Sequence, residues 1–140
     1  MSDLEKQDLK NKKVIVRVDL NVPLDDNDNV TDTTRIVACK ETVDLILEKG
    51  GTCILISHLG RPKGKDNKFS LKKIVDTVSS VLNHPVFFYE DCVGQGAQEA
   101  ISKLDQGSII LMENLRFYEE ETLGDRLFAK NLSELGDIYV

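Results

Sequence analysis

The sequence predicts an α/β fold in which a mostly parallel sheet is covered by helices on both faces. Two observations carry that expectation. Five short apolar runs rich in β-branched residues alternate with segments whose apolar residues recur at helical spacing, giving the order βαβαβαβαβ. The runs are also continuously apolar, the pattern of strands buried on two sides, and parallel strands joined through helices cross over right-handed.

Val14-Ile15-Val16-Arg17-Val18 is the first strand. Ile36, Cys39, Val43, Ile46 and Leu47 then mark a helix, with Gly50-Gly51 where its C-cap belongs. Thr52 to Ser57 is the second strand. Ser70 stands as N-cap to a helix striped by Leu71, Ile74, Val75, Val78, Val81 and Leu82, which closes before Pro85. Val86 to Tyr89 is the third strand, Ala97 to Leu104 a short third helix, and Ser108 to Met112 the fourth strand. Leu127, Phe128, Leu132 and Leu135 predict a fourth helix ending at Gly136, and Ile138-Tyr139-Val140 the last strand. The sum is a three-layer, Rossmann-like sandwich without repeats, low-complexity tracts or an interdomain linker. Because the last strand ends with the chain, the loop expected at its carboxyl end is missing, and the chain reads as truncated.

With 140 residues, 41% hydrophobic and 30% charged, the chain is expected to fold as one soluble domain around one core. No apolar run approaches the roughly 18 residues of a membrane helix, and Met1 to Lys6 lacks the order of a signal peptide. No membrane association is expected, and the cytoplasm is the expected compartment. Cys39, Cys53 and Cys92 are odd in number and lack C-x-x-C spacing, which argues for buried free thiols rather than disulfides or zinc. The net charge of −6 disfavours nucleic acid and anionic lipid as partners of the whole molecule. Yet residues 1 to 75 carry 14 Lys and Arg against 12 Asp and Glu, while residues 76 to 140 carry 4 against 12, so a local anion site fits an acidic body.

In doubly wound sheets the ligand groups come from segments just past the carboxyl ends of strands. Arg17 to Pro23 follows the first strand, Ser57-His58-Leu59-Gly60-Arg61-Pro62 the second, and Glu113-Asn114-Leu115-Arg116-Phe117 the fourth. Arg35 lies near the start of the first helix, where free backbone N–H groups favour anions. The topology brings Arg35, His58, Arg61 and Arg116 to one sheet edge. Converging guanidinium forks suit a small, multiply charged anion, while Asp19 and Asn21 suit hydroxyl groups; a phosphorylated hydroxy acid meets both demands. Each residue alone has a plainer reading, as a solvated Arg, a loop His or an Asp-Leu-Asn turn. Their coincidence at one edge raises the site reading to an equal footing with the plain ones.

Other signals are weaker. Gly94-Gln95-Gly96 lacks the third Gly of a dinucleotide fingerprint, and no P-loop occurs. Gly60-Arg61-Pro62-Lys63-Gly64-Lys65 looks like an AT-hook core, but within an acidic, ordered domain no nucleic-acid partner is expected. Glu119-Glu120-Glu121 reads as a solvated face and His84 as punctuation at a helix end; no metal site and no Ser/His/Asp or Cys/His nucleophile is expected.

Arg17-Val18-Asp19-Leu20-Asn21-Val22-Pro23, Thr34-Arg35-Ile36, Ser57 to Pro62 and Leu111-Met112-Glu113-Asn114-Leu115-Arg116-Phe117 closely resemble successive signature segments of phosphoglycerate kinase, in that family's order and spacing. Gly136 to Val140 resembles its next segment. The resemblance implies reversible phosphoryl transfer between 1,3-bisphosphoglycerate with ADP and 3-phosphoglycerate with ATP. It further implies that Asp19, Leu20 and Asn21 contact 3-phosphoglycerate, that His58, Leu59, Gly60 and Arg61 form a second substrate segment, and that Arg116 helps bind its phosphate. Arg35 is implied to stabilise charge on the phosphoryl group in transfer. Mg-ATP or Mg-ADP is implied as well, bound mainly by a C-terminal domain that these residues do not include, and no nucleotide contact is assigned to this chain.

The expectation is therefore that residues 1–140 form an N-terminal 3-phosphoglycerate-binding domain, truncated at its C-terminal strand. It would be a monomer that binds substrate weakly, partners the C-terminal domain of the same enzyme and does not turn over alone. The alternative is a non-catalytic small-anion binding or regulatory module using the same Arg cluster.

Overall fold

A computed structural model describes residues 6–60, 69–91, 94–117, 130 and 133–140. The chain forms β1 (Lys13–Arg17), α1 (Thr34–Glu48), β2 (Thr52–Ile56), a 3₁₀ turn (Leu71–Ile74) leading directly into α2 (Val75–Leu82), β3 (Val86–Tyr89), α3 (Gln95–Ser102), β4 (Ile109–Met112), a second 3₁₀ turn (Leu115–Phe117) and β5 (Ile138–Tyr139). Five strands make one sheet in the order β3-β4-β2-β1-β5. Every pairing is parallel, with Ile15 beside Ile54, Ile54 beside Ile110 and Ile15 beside Tyr139.

Successive residues of a strand face opposite sides, and the central strands use both sides for core. Val14, Val16, Cys53, Leu55, Ile109 and Leu111 pack with Ile36, Val43 and Ile46 of α1 and Val78 and Leu82 of α2. The intervening Ile15, Ile54, Ile56, Ile110 and Met112 pack with Ala97 and Ile101 of α3 and with Leu135. The sheet divides the one core that the length predicts into these two clusters, one on each face, because every central strand buries both of its sides, and the clusters make the three layers the sequence predicts. The right-handed crossover rule accounts for the placement: β1 to β2 to β3 runs one way along the sheet, and β3 to β4 doubles back, which puts α3 on the opposite face.

Local chemistry stops the helices where expected. Gly50 sits at φ +83°, its N–H donating to the Leu47 carbonyl while the Gly51 N–H donates to that of Ile46, a Schellman pair closing α1. Asn83 takes the equivalent left-handed position after α2, ahead of His84 and Pro85. The second helix departs from expectation in its first turn, which is 3₁₀. There the Ser70 hydroxyl accepts from the Lys72 N–H, as an N-cap should, and the Lys73 N–H donates to the Ser70 carbonyl in the tighter three-residue loop.

The expectation of strands covered on both sides fails for two of the five. Since β4 inserts between β2 and β3, β3 becomes an edge strand and Phe87 is 53% exposed; β5 forms the other edge, with Tyr139 50% exposed. Cys39 and Cys53 are buried free thiols, and burial pushes Cys53 up to about 12, so it stays protonated and unreactive at neutral pH. Cys92, the fourth helix at Leu127, Phe128 and Leu132, the Glu119 to Glu121 run and Lys63 to Lys65 lie outside the described residues. Among the described residues, no helix is long and apolar enough to cross a membrane.

Candidate anion-binding site

Because the strands are parallel, the segments following β1, β2 and β4 leave the sheet at the same edge. Side-chain to backbone hydrogen bonds stitch them together. Buried Ser57, just past β2, accepts the Leu20 N–H at Oγ at 2.9 Å and donates from the same oxygen to the His58 carbonyl. Its own carbonyl accepts from Leu115, beyond β4. Asn21 Oδ1 accepts the Gly60 N–H at 2.9 Å, tying the first segment to the second.

Asp19, Leu20 and Asn21 form a turn in which Asp19 Oδ1 accepts the Asn21 N–H at 3.1 Å. The turn reading and the site reading thus hold together, the turn fixing where the two polar side chains stand. Arg35, in the first turn of α1, reaches this turn with Nη1, which donates to the Asn21 carbonyl and pairs with Asp19 Oδ1 at 3.4 Å. Both side chains of the ion pair are at least half exposed, so the pair orients the guanidinium more than it stabilises the fold.

Leu20 and Leu59 are buried in the core, so their side chains anchor the two segments and only their backbone could face a ligand. His58 is half-buried. Gly60 is required twice: its φ is +63°, and a Cβ there would stand 2.4 Å from the Phe69 ring. Arg61 lies outside the described residues. Arg116 is placed by its backbone in the 3₁₀ turn after β4, at the expected edge, and its side chain is not among those described.

Two clefts meet at Asn21. The larger, about 430 Å³, is lined by Leu59, Gly60, Phe69 and the carboxylates of Asp25, Asp26 and Asp28, a lining that repels anions. The other, about 390 Å³, is lined by Asn21, Val22, Pro23, Asp32 and Arg35 and is where an anion would meet the guanidinium. The start of α1 is less open to a ligand than the sequence suggests. Asp32 Oδ1 already accepts the Thr34 N–H at 2.9 Å and its hydroxyl at 2.6 Å. Those bonds, the hydroxyl's first, and then the charge of Arg35 hold the Asp32 carboxyl below the usual carboxylate range.

Behind the exposed residues lies a polar layer that sequence reading left without a role. The buried Glu113 carboxylate accepts from the Ser70 hydroxyl at 2.7 Å and from the Leu71 and Asn114 N–H groups, each at 2.9 Å. Fully buried Asn114 donates from Nδ2 to the carbonyls of Leu59 and Phe69, both at 2.8 Å. The available signal was position: two polar residues directly after an entirely buried strand must find partners inside the fold. Among the described residues no three His, Cys, Asp or Glu side chains converge as metal ligands. The described residues likewise hold no Gly-rich phosphate loop.

The family model for phosphoglycerate kinase matches residues 3–140. A phosphoglycerate kinase of Wolbachia pipientis wMel is 49% identical over 98% of this chain, and the cytosolic enzyme of wheat, Triticum aestivum, 50% over 98%. The chain spans 34% of the length of each. Among solved structures, the phosphoglycerate kinase of Pyrococcus horikoshii superposes with a TM-score of 0.84 at 30% identity, over 97% of this chain and 35% of that one. That of Coxiella burnetii gives 0.82 at 33%, over 96% and 33%. A match that runs along almost the whole chain, in sequence and in superposed structure, means that this chain belongs to the phosphoglycerate kinase family.

Proposed function

We propose that residues 1–140 are the N-terminal substrate domain of a cytoplasmic phosphoglycerate kinase and carry the 3-phosphoglycerate side of its active site. Asp19 and Asn21 take the hydroxyl and carboxylate end of the substrate, backbone groups of Leu20, Leu59 and Gly60 frame it, and His58, Arg61 and Arg116 face its charges. In the ATP-consuming direction a carboxylate oxygen of 3-phosphoglycerate attacks the γ-phosphorus, the bond to ADP breaks and an acyl phosphate forms. Such transfer requires positioning and charge stabilisation more than covalent chemistry. Magnesium and the nucleotide, held by the remainder of the enzyme, would supply charge neutralisation on the other side. The monomeric chain alone binds substrate and does not turn over.

The observation that carries this reading is Arg35. Asp19 and the Asn21 carbonyl engage its Nη1, while Nη2 and Nε have no hydrogen-bond partner among the described residues. A guanidinium so oriented in a cleft is ready to bind the anionic oxygens of 3-phosphoglycerate itself and, during transfer, the phosphoryl oxygens as charge develops on them. Calorimetric titration of 3-phosphoglycerate into the chain should show saturable binding, weakened about tenfold or more by Arg35→Ala, since a charge-assisted hydrogen bond contributes about 1.5–3 kcal/mol. Circular dichroism should show both proteins equally folded. Equal affinity in the two would remove Arg35 from the site, and no binding by the folded wild type would end the reading for this chain.

A further inference from the structure

His58, Leu59 and Gly60 belong to no helix or strand, so something other than a backbone ladder must fix their geometry. Among the described residues the bonds that do so include Ser57 Oγ to the His58 carbonyl, Asn21 Oδ1 from the Gly60 N–H, and Asn114 Nδ2 to the Leu59 carbonyl. Asn114 is the most deeply buried of these three side chains, and Asn21 is the partly exposed one. The same Nδ2 donates to the Phe69 carbonyl, so one planar amide sets the separation of residues 59 and 69. Phe69 in turn lies against Gly60 closely enough that no Cβ fits between them.

Asn114 cannot swing away. Its N–H is held by Glu113 Oε1, the oxygen that also holds the Leu71 N–H, and the next residue, Leu115, is bonded to the Ser57 carbonyl. A neutral side chain with two donors on one atom is what two converging carbonyls require. Asp has the same shape and no donor, and Gln would place the amide one methylene too far.

We infer that Asn114 is a positioning residue, which touches no ligand but fixes the His58–Gly60 segment through the Leu59 and Phe69 carbonyls, with Glu113 holding Asn114 itself. The inference rests on the proposal that this segment faces 3-phosphoglycerate. It is tested with Asn114→Asp in the chain, by amide hydrogen exchange and by titration of 3-phosphoglycerate.

The expected result is that the Gly60 amide exchanges at least about tenfold faster while amides of β2 and β4 keep their protection, and that affinity falls about tenfold through loss of preorganisation. An unchanged Gly60 amide in the variant overturns the inference, as does a faster Gly60 amide with unchanged affinity, because the clasp would then hold the loop without serving the ligand. A folded wild type that binds no 3-phosphoglycerate defeats the functional reading and, with it, the role toward substrate. The Gly60 amide then still reports whether the clasp exists. Should β2 lose protection in Asn114→Asp, Asn114→Ser, whose hydroxyl stops short of both carbonyls, is read by the same criteria.

Discussion

After β1, exposed Asp19 pairs with exposed Arg35, although half-buried Asn21 also reaches the Gly60 backbone; after β4 the polar residues are buried and bond to the backbone of other segments, as Glu113 with Leu71 and Asn114 with Leu59. Both groups stand at the carboxyl edge of the same sheet. The difference separates two tasks, since the exposed set keeps charge accessible to a ligand while the buried set fixes the loops that carry it. Removing a member of the first should cost binding and little stability, and removing a member of the second should cost both.

The largest effect is expected at Glu113. Glu113→Ala strands the Ser70 hydroxyl and the Leu71 and Asn114 N–H groups inside the protein and should destabilise it by about 3 kcal/mol in urea unfolding. Asp19→Ala, in an exposed pair, should cost less than about 1 kcal/mol. Similar losses in the two would erase the distinction between the edges. Gly60→Ala comes next, at about 2 kcal/mol, because it combines a φ of +63° with a Cβ 2.4 Å from the Phe69 ring. A melt unchanged from wild type would mean that Phe69 moves freely and that Gly60 is not held as described.

How much of this could be read from sequence follows the same divide. The three layers were legible because apolar spacing reports directly on strands and helices, as in α1 with Ile36, Cys39, Val43 and Ile46. The edge position of β3 was not, since Val86-Phe87-Phe88-Tyr89 reads like an interior strand and only the return of β4 to a place beside β2 exposes Phe87. At the candidate site, charge drew attention to Arg35 and His58. Asn114 was hidden because its partners, Leu59 and Phe69, are 55 and 45 residues away and are carbonyls, which every residue owns.

The smallest effect tests the exposed side alone. Asp32 is fully exposed, and its carboxyl titrates low chiefly through the Thr34 hydroxyl and N–H, with Arg35's charge the lesser cause. A carboxyl whose folded-state pKa is depressed adds stability above its unfolded value and loses it as pH falls through the folded value. Its contribution at the start of α1 should therefore be complete at neutral pH and disappear only in acid, below the usual carboxylate range. Carbon-detected NMR of the Asp32 carboxyl should show Thr34→Val moving the midpoint upward by more than Arg35→Ala does, and added salt acting mainly on the Arg35 share. The opposite ranking would make the guanidinium the principal partner of Asp32. Arg35 would then be committed to two carboxylates, Asp19 and Asp32, and a ligand anion would have to compete with both for the same charge.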